Sequence, residues 1–298
     1  MNRELWTRPK ITHHGAPPWL CPTCRKSNLR LDLKSLRSEE TKESRSAHFQ
    51  EEWEPEWNTY IFSAWLKCSD AKCGESVVIT GLGGVEPQWS DEEGVTWEQY
   101  FVPQTMSPMP DVIDIPPKCR PEVAQELRAA FRVMWSDPAA SMNRIRTAIE
   151  RLMDSIGIKR RTRGKNGLVD LKLHDRIVQF QKREPELGSQ LLALKYAGNT
   201  GSHGSVEDGD VIDALAIIEH VLAEVVTQRS RNIAALAAKL TKKHAPKKKG
   251  KAASSGSVSP ANKAIVPVAA GSMSNQHASS ASAPNTAASG TATASGST

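Results

Sequence analysis

The stretch Lys195-Tyr196-Ala197-Gly198-Asn199-Thr200-Gly201-Ser202-His203 separates two helical patterns and organises the chain. Before it, leucines recur at helical spacing from Leu187 to Leu194, and after it an apolar stripe runs from Val211 to Val225. Glycine and asparagine favour turns because they tolerate backbone conformations that other residues avoid. We therefore predict a turn here, with Asn199 and His203 forming a polar site at the start of a long helix.

The same helical spacing extends backwards through the second half of the chain. Pro121 suits the first turn of one helix, and Asp137-Pro138 predicts the N-cap and first residue of the next. Two more helices are expected at about 171–182 and 186–196, and a last one starts with a weak capping box at 205–208 and continues to about Leu240. Short connections between such helices favour an α-helical bundle.

One connection in this region is strongly basic. Residues 159–167 carry five positive charges and no acidic residue. They are interpreted either as a solvated, flexible connector or as an arm that binds phosphate groups.

Four of the five cysteines form two close pairs, Cys21/Cys24 and Cys68/Cys73. Because zinc takes four soft ligands in a tetrahedron, two such pairs predict a structural zinc site. Alternating residues at 29–33 and 58–66 and a short strand at 77–80 place the pairs between strands, as in a zinc ribbon. The alternative is four free thiols in a small β-domain, and Cys119 is left out of the site.

Two other stretches before residue 120 look irregular. The acidic insertion between the cysteine pairs, Glu39 to Glu56, is expected to be a solvated loop. Residues 103–118 carry five prolines, which predicts an extended connector.

Seven of the eight tryptophans precede residue 100. In so small a module, large aromatic side chains are expected to supply the core. A surface on which nucleic-acid bases stack is the alternative, although neighbouring acidic residues would repel phosphate.

One helix carries Arg144-x-Arg146-x-x-x-Glu150, and Gly198-Asn199-x-x-x-His203 precedes the final long helix. With these motifs, residues 115–229 resemble domain of unknown function 4145, a family of the HEPN-like helical superfamily. The resemblance implies a compact helical domain, often a homodimer, found in bacterial defence, restriction and toxin-like systems.

Many HEPN proteins are metal-independent ribonucleases, so the resemblance also implies a set of catalytic candidates. His203 matches the family histidine as a general base or acid, and Asn199 resembles the neighbouring polar position. The upstream cation in the turn is Lys195, which with Arg146 would supply positive charge beside Glu150. Alternatively, Asn199 and His203 tie the helix turn together, and Arg146 and Glu150 form an ion pair.

Charge and hydropathy limit the classes of function. The net charge is +6, and five lysines between Lys247 and Lys263 account for most of it, because the chain without them carries +1. The Ala-, Ser- and Gly-rich stretch 241–298 is expected to be a disordered tail. With no long apolar run and no signal-peptide pattern, we expect a cytoplasmic protein without a membrane segment.

These observations predict an α+β multidomain chain. A small β zinc ribbon with an acidic insertion spans 1–110, an all-α HEPN-like bundle spans 111–240, and the disordered tail spans 241–298. The expected function is a zinc-containing interaction or nucleic-acid-binding module, with RNA, another nucleic acid or a protein as partner. The alternative is a metal-independent endoribonuclease that uses His203 in a dimeric site.

Overall fold

A computed structural model describes residues 1–90, 94–165, 167–200 and 206–245. The chain has an α+β fold, in which an N-terminal antiparallel sheet precedes a helical region. The strands and helices are β1 Leu29–Glu40, α1 Lys42–Ala47, β2 Tyr60–Cys68, β3 Ser76–Ser90, β4 Gly94–Ser107, α2 Pro121–Val133, α3 Pro138–Ser155, β5 Arg161–Gly164, β6 Gly167–Asp170, α4 Leu173–Gln181, α5 Pro185–Thr200, α6 Asp208–Thr227 and α7 Arg229–His244.

Strands β1 to β4 form the N-terminal sheet in chain order, and every neighbouring pair is antiparallel. Strand β2 shows why the sheet has a buried face: Phe62, Ala64, Leu66 and Cys68 are buried, and the residues between them are exposed. Since successive side chains of a strand point to opposite faces, this alternation places one face of the sheet in the core.

Strand β3 is much longer than the sequence pattern indicated, and its partner β4 was not predicted. They pair from Val78 opposite Ser107 to Ser90 opposite Gly94, with a register shift at Thr80/Gly81. The expected short strand at 77–80 was therefore too short, and the expected connector at 103–118 begins with five residues of β4. Two facing strands stabilise each other through cross-strand pairs, which a scan of single segments does not detect.

The acidic insertion is largely ordered, so the prediction of a solvated loop was wrong for its first part. Glu39 and Glu40 pair with Ile61 and Tyr60 as the end of β1. Helix α1 follows, capped by Thr41, whose hydroxyl accepts a hydrogen bond from the Ser44 backbone N–H at 3.2 Å.

The tryptophans divide between core and surface. Trp6 and Trp19 are buried and pack against Trp135 of the segment after α2, with ring centroids 5.9 and 6.1 Å from it. Trp57, Trp65, Trp89 and Trp97 are exposed. Apolar residues from the sheet and from the helices thus form one continuous buried cluster, in which aromatic rings join the two parts.

The helical start predicted at Asp137-Pro138 is confirmed. The Asp137 carboxylate accepts a hydrogen bond from the Ala140 backbone N–H at 2.8 Å, and Pro138 is the first residue of α3. This geometry satisfies one of the N–H groups that a helix start leaves without an intrahelical partner.

The region after residue 120 is not all-α, because the basic stretch forms a β-hairpin. Strands β5 and β6 pair from Arg161 opposite Asp170 to Gly164 opposite Gly167. The sequence shows no apolar periodicity that would predict these strands, because every strand residue except Gly164 is exposed.

Helix α5 continues through Gly198 and Asn199 to Thr200, so the turn expected from Lys195 onward was placed too early. A Cβ atom added to Gly198 would lie 3.5 Å from Cβ of Arg146 and 3.6 Å from the Met142 carbonyl oxygen. This glycine therefore lets α5 approach α3 closely and does not end the helix.

The final helical segment is also capped differently from the prediction. The Asp210 carboxylate accepts a hydrogen bond from the Glu207 backbone N–H at 3.1 Å. The N-cap residue is therefore Glu207, two residues later than in the capping box predicted at 205–208. The apolar stripe does not continue to Leu240 in one helix, because Gln228 takes a left-handed conformation between α6 and α7.

The predicted disordered tail lies outside the described residues from 246 onward, and α7 extends to His244. Among the described residues, no helix combines the length and apolarity that a membrane crossing requires.

Two glycine substitutions test the packing of the β3–β4 hairpin. At Gly81, an added Cβ atom would clash with the Val102 carbonyl oxygen and lie 2.7 Å from the Gln104 backbone nitrogen. Because backbone has to move, we expect Gly81→Ala to lower the free energy of unfolding by about 1–3 kcal/mol.

The matched control is Gly209→Ala in the first turn of α6, where an added Cβ atom would meet nothing within 4 Å. This variant should be neutral or up to about 1 kcal/mol more stable. Chemical denaturation measures both values. Equal stability of the two variants would contradict the close approach of β3 to β4.

Candidate functional site

The two cysteine pairs meet at one point of the N-terminal part. The sulfur atoms of Cys21, Cys24, Cys68 and Cys73 all lie within 4.8 Å of one another. The Sγ atoms of Cys21 and Cys73 are 3.7 Å apart, and those of Cys24 and Cys68 are 3.8 Å apart. A disulfide would require about 2.05 Å, so these are free thiols.

The sulfur spacing fits a tetrahedral metal ion. With zinc–sulfur bonds of about 2.3 Å, the edge of a regular tetrahedron is about 3.8 Å. The four sulfur atoms would thus surround an ion without moving far, and all four ligands are cysteines, which is typical of a closed structural site.

Each cysteine pair is shaped by a tight backbone turn. The Cys21 carbonyl oxygen accepts a hydrogen bond from the Arg25 N–H at 3.0 Å, and the Asp70 carbonyl accepts bonds from Cys73 and Gly74 at 3.0 and 3.1 Å. Arg25 and Gly74 follow the second cysteine of their pairs, and both have positive φ, +54° and +63°. The two turns therefore end in the same left-handed conformation, which aims both cysteines of each pair at a common point.

Backbone amides stabilise negative charge on three of these sulfurs, those of Cys24, Cys68 and Cys73. The N–H groups of Lys26 and Ser27 lower the pKa of Cys24 to about 6. Burial raises the pKa of Cys68 to about 12, although the Asp70 N–H acts in the opposite direction. Because a metal ion binds cysteine as thiolate, metal binding at this cluster releases protons and depends on pH.

A second candidate site is a cleft of about 540 Å³ between α3, α4, α5 and the base of the β5–β6 hairpin. Four of the five residues predicted as catalytic line it: Arg146, Glu150, Lys195 and Asn199. The fifth, His203, lies outside the described residues.

Helical spacing explains how these four side chains come together. Arg146 and Glu150 are one turn apart on α3, with Nε and Oε1 3.9 Å apart. Lys195 and Asn199 are one turn apart on α5, and the Lys195 Nζ lies 4.4 Å from the centroid of the Tyr196 ring. The close approach at Gly198 brings the two helix faces together.

The cleft is rich in positive charge. Its lining contains six cationic side chains and three acidic ones, and it includes few apolar residues. The cations are Arg146, Arg151, Arg160, Lys172, Arg176 and Lys195, and the acids are Glu150, Asp154 and Asp170.

Asp154 holds two of these cations in place. Its carboxylate accepts hydrogen bonds from Nε and Nη2 of Arg160. It also accepts one from Nη2 of Arg176 at 2.6 Å. The hydrogen bond from Arg160 is the main reason that the pKa of Asp154 lies below its usual range. The carboxylate is therefore ionised at neutral pH and keeps both arginines oriented.

Three buried nitrogen atoms of the cleft have no hydrogen-bond partner within the described part of the chain. They are Nε of Arg146, Nδ1 of His174 and Nε of Arg176. Such atoms usually find a partner in the protein, in water or in a ligand.

The sequence did not point to His174 or to Asp154. His174 is the neighbour of Leu173, which is buried, so the helical pattern of α4 did not distinguish it from an ordinary surface histidine. Asp154 lies near the end of α3, and its partners come from two later elements.

Cysteine substitutions test the metal site. We expect the purified protein to contain about one zinc ion per chain. Cys68→Ser should lose this ion, because only three of the four cysteine ligands remain. Cys119→Ser is the matched control, since Cys119 lies outside the cluster. Elemental analysis measures the zinc content. Equal content in both variants would rule out the four-cysteine site.

Comparisons with known proteins divide the chain into two matched regions. No curated protein matches it, and no solved structure does. Two family models match: Domain of unknown function (DUF8608) over residues 10–106 and Domain of unknown function (DUF4145) over residues 128–245. The predicted resemblance to the second family is confirmed for these residues. The chain therefore combines a DUF8608-like region that contains the four cysteines with a DUF4145-like region that contains the cleft.

Proposed function

We propose that the protein binds nucleic acid in the cleft between α3, α4 and α5 and that a structural zinc ion holds its N-terminal part together. The observation that carries the proposal is the excess of positive charge in the cleft, six cations against three acids. A phosphodiester backbone is a repeating anion, so its binding relies on such clusters of lysine and arginine.

Local ion pairs leave part of this positive charge free. Asp154 is occupied by Arg160 and Arg176, and Asp170 is paired with Arg161 at 2.6 Å. Lys172 and Lys195 have no acidic partner within the described residues. Both lysines are therefore available to an anion from outside the chain, and Nε of Arg146, 3.9 Å from the Glu150 carboxylate, still lacks a hydrogen bond.

The composition of the cleft favours a polymeric anion over a small apolar ligand. Small-molecule sites are mostly apolar with a few polar groups. Here the apolar side chains of the lining are those of Leu171 and Leu173, and charged or polar groups form the rest.

Several parts of the proposal come from the family resemblance alone. They are the HEPN-like relationship, a homodimer, an additional protein partner and a role in bacterial defence.

Binding to RNA is expected to depend on the cations of the cleft. We expect Arg146→Gln and Lys195→Gln each to weaken binding of a single-stranded RNA by about tenfold, because a hydrogen bond to a charged group contributes roughly 1.5–3 kcal/mol. Each variant should also reduce the slope of log affinity against log salt by about 0.7. Fluorescence anisotropy with a labelled RNA at several salt concentrations measures both quantities.

Arg30→Gln on β1 is the control, since it removes one exposed positive charge that does not line the cleft. If all three variants lose the same affinity, binding reflects net charge and the cleft is not the site.

A second function, cleavage of RNA, is favoured by one observation. The cleft gathers Arg146, Glu150, Lys195 and Asn199, which were predicted as parts of a ribonuclease site, and adds His174. In such a reaction, the ribose 2′-oxygen attacks phosphorus, a base accepts its proton, and an acid protonates the departing 5′-oxygen. The products are a 2′,3′-cyclic phosphate and a 5′-hydroxyl.

Labelled RNA incubated with the protein and a chelator tests this function. Cleavage that disappears in His203→Ala while the melting temperature is unchanged supports an enzyme. Intact RNA after incubation with a wild-type protein that binds it leaves binding as the function of the cleft.

A further inference from the structure

The β5–β6 hairpin projects from the fold and buries almost nothing. All of its strand residues are exposed except Gly164, which is half-buried. An isolated two-stranded hairpin is only marginally stable in water. Since its side chains contribute little to the core, burial of the hairpin adds little to the stability of the fold.

The base of the hairpin is nevertheless fixed to the rim of the cleft. Arg160, directly before β5, pairs with Asp154 of α3. The Leu171 backbone N–H donates to the Arg160 carbonyl oxygen at 2.7 Å, and the side chains of Arg161 and Asp170 form an ion pair at 2.6 Å. Both Arg160 and Asp170 also line the cleft, so a ligand that leaves the cleft at this side meets the hairpin.

The hairpin carries positive charge that neither Asp170 nor the neighbouring Asp154 of α3 neutralises. Asp154 and Asp170 pair with Arg160 and Arg161. Lys159, Arg163 and Lys165 form no ion pair with any described residue. The outer part of the hairpin is therefore cationic, like the cleft at its base.

Two apolar side chains are exposed among these charges. Leu168 is 73% exposed and Val169 is 51% exposed. Val169 covers Gly164, because a Cβ atom added to that glycine would lie 2.7 Å from Cγ2 of Val169. Leu168 lies opposite Arg163, on the face that also carries the Arg161–Asp170 pair.

We propose that the β5–β6 hairpin is an arm for single-stranded nucleic acid, along which a strand bound in the cleft continues. In this arrangement, Arg163 and the nearby lysines contact phosphates, and a base packs on Leu168 and the guanidinium plane of Arg163. The inference rests on the proposed nucleic-acid binding by the cleft and names the class of substrate.

The exposed leucine is the reason for choosing a single strand. A duplex presents phosphates and sugars on its outside and stacks its bases within, so an exposed Leu168 gains nothing from that surface. The bases of a single strand are free to stack on arginine planes and apolar side chains. Each strand of the hairpin, with four residues, is about 13 Å long, which leaves room for more than a single contact.

Two substitutions separate the apolar contact from the charge. Leu168→Thr removes the apolar surface and keeps a residue that favours strands. We expect it to weaken binding of single-stranded RNA and of single-stranded DNA of the same sequence by five- to tenfold. The salt dependence and the affinity for the corresponding duplex should stay unchanged. Arg163→Gln should weaken binding of all three ligands and lower the salt slope for single strands by about 0.7.

Leu33→Thr is the matched control, because Leu33 is also an exposed leucine, on β1 of the N-terminal sheet. Fluorescence anisotropy at several salt concentrations measures all affinities. The inference is overturned if Leu168→Thr leaves single-strand binding unchanged or weakens duplex binding equally. The proposed base contact does not involve the sugar. It is therefore also overturned if Leu168→Thr weakens binding of only one of the two single strands, RNA or DNA.

The outcome also distinguishes the arm from the cleft. If Arg146→Gln weakens binding but Leu168→Thr does not, only the hairpin inference fails. If the wild-type protein binds none of the three nucleic acids, both the proposed function and the inference fail.

Discussion

Asp154 holds together three of the four elements that build the cleft: α3, α4 and the base of the β5–β6 hairpin. It lies at the end of α3, and its carboxylate binds Arg160 at the base of the hairpin and Arg176 in the first half of α4. The side chain of Arg176 is only 6% exposed, and it also donates to the Ile158 carbonyl oxygen at 3.2 Å. A buried charge without a partner is strongly destabilising, so the position of Arg176 depends on Asp154. Because the Arg160 hydrogen bond lowers the pKa of Asp154, this stabilisation is present above the usual carboxylate range and is lost as pH falls through the lowered pKa.

Both parts of the molecule bury apolar side chains, and the N-terminal part adds a cluster of four cysteines. The helical region relies on apolar burial, with Ile145, Ile149 and Leu215 almost fully buried. The N-terminal sheet also buries an apolar face, with Phe62, Leu66 and Ile79 in the core, and its four converging sulfurs suit a metal ion. Trp19 connects the two, because it precedes Cys21 by two residues and packs against Trp6 and Trp135.

Local signals in the sequence predicted the features that local geometry determines. The two cysteine pairs and the N-cap at Asp137 depend on short spacings, and the structure shows both. Arg146 and Glu150 share a helix face for the same reason.

Features that depend on distant neighbours were missed or misplaced. Gly198 was interpreted as part of a turn that ends the helix. The residues next to it in sequence do not indicate that it packs against α3. The β5–β6 hairpin has no apolar face, and the length of β3 is set by its pairing with β4.

The central claim is that the cleft and the hairpin form one surface for a single strand. Photo-crosslinking of a 4-thiouridine-labelled RNA to the full chain, followed by mass spectrometry of the crosslinked peptides, tests it most directly. We expect crosslinks in three segments: 144–154 on α3, 159–176 in the hairpin and α4, and 195–199 on α5. Crosslinks confined to the sheet at residues 29–107, or to the lysine-rich stretch after residue 245, would contradict it.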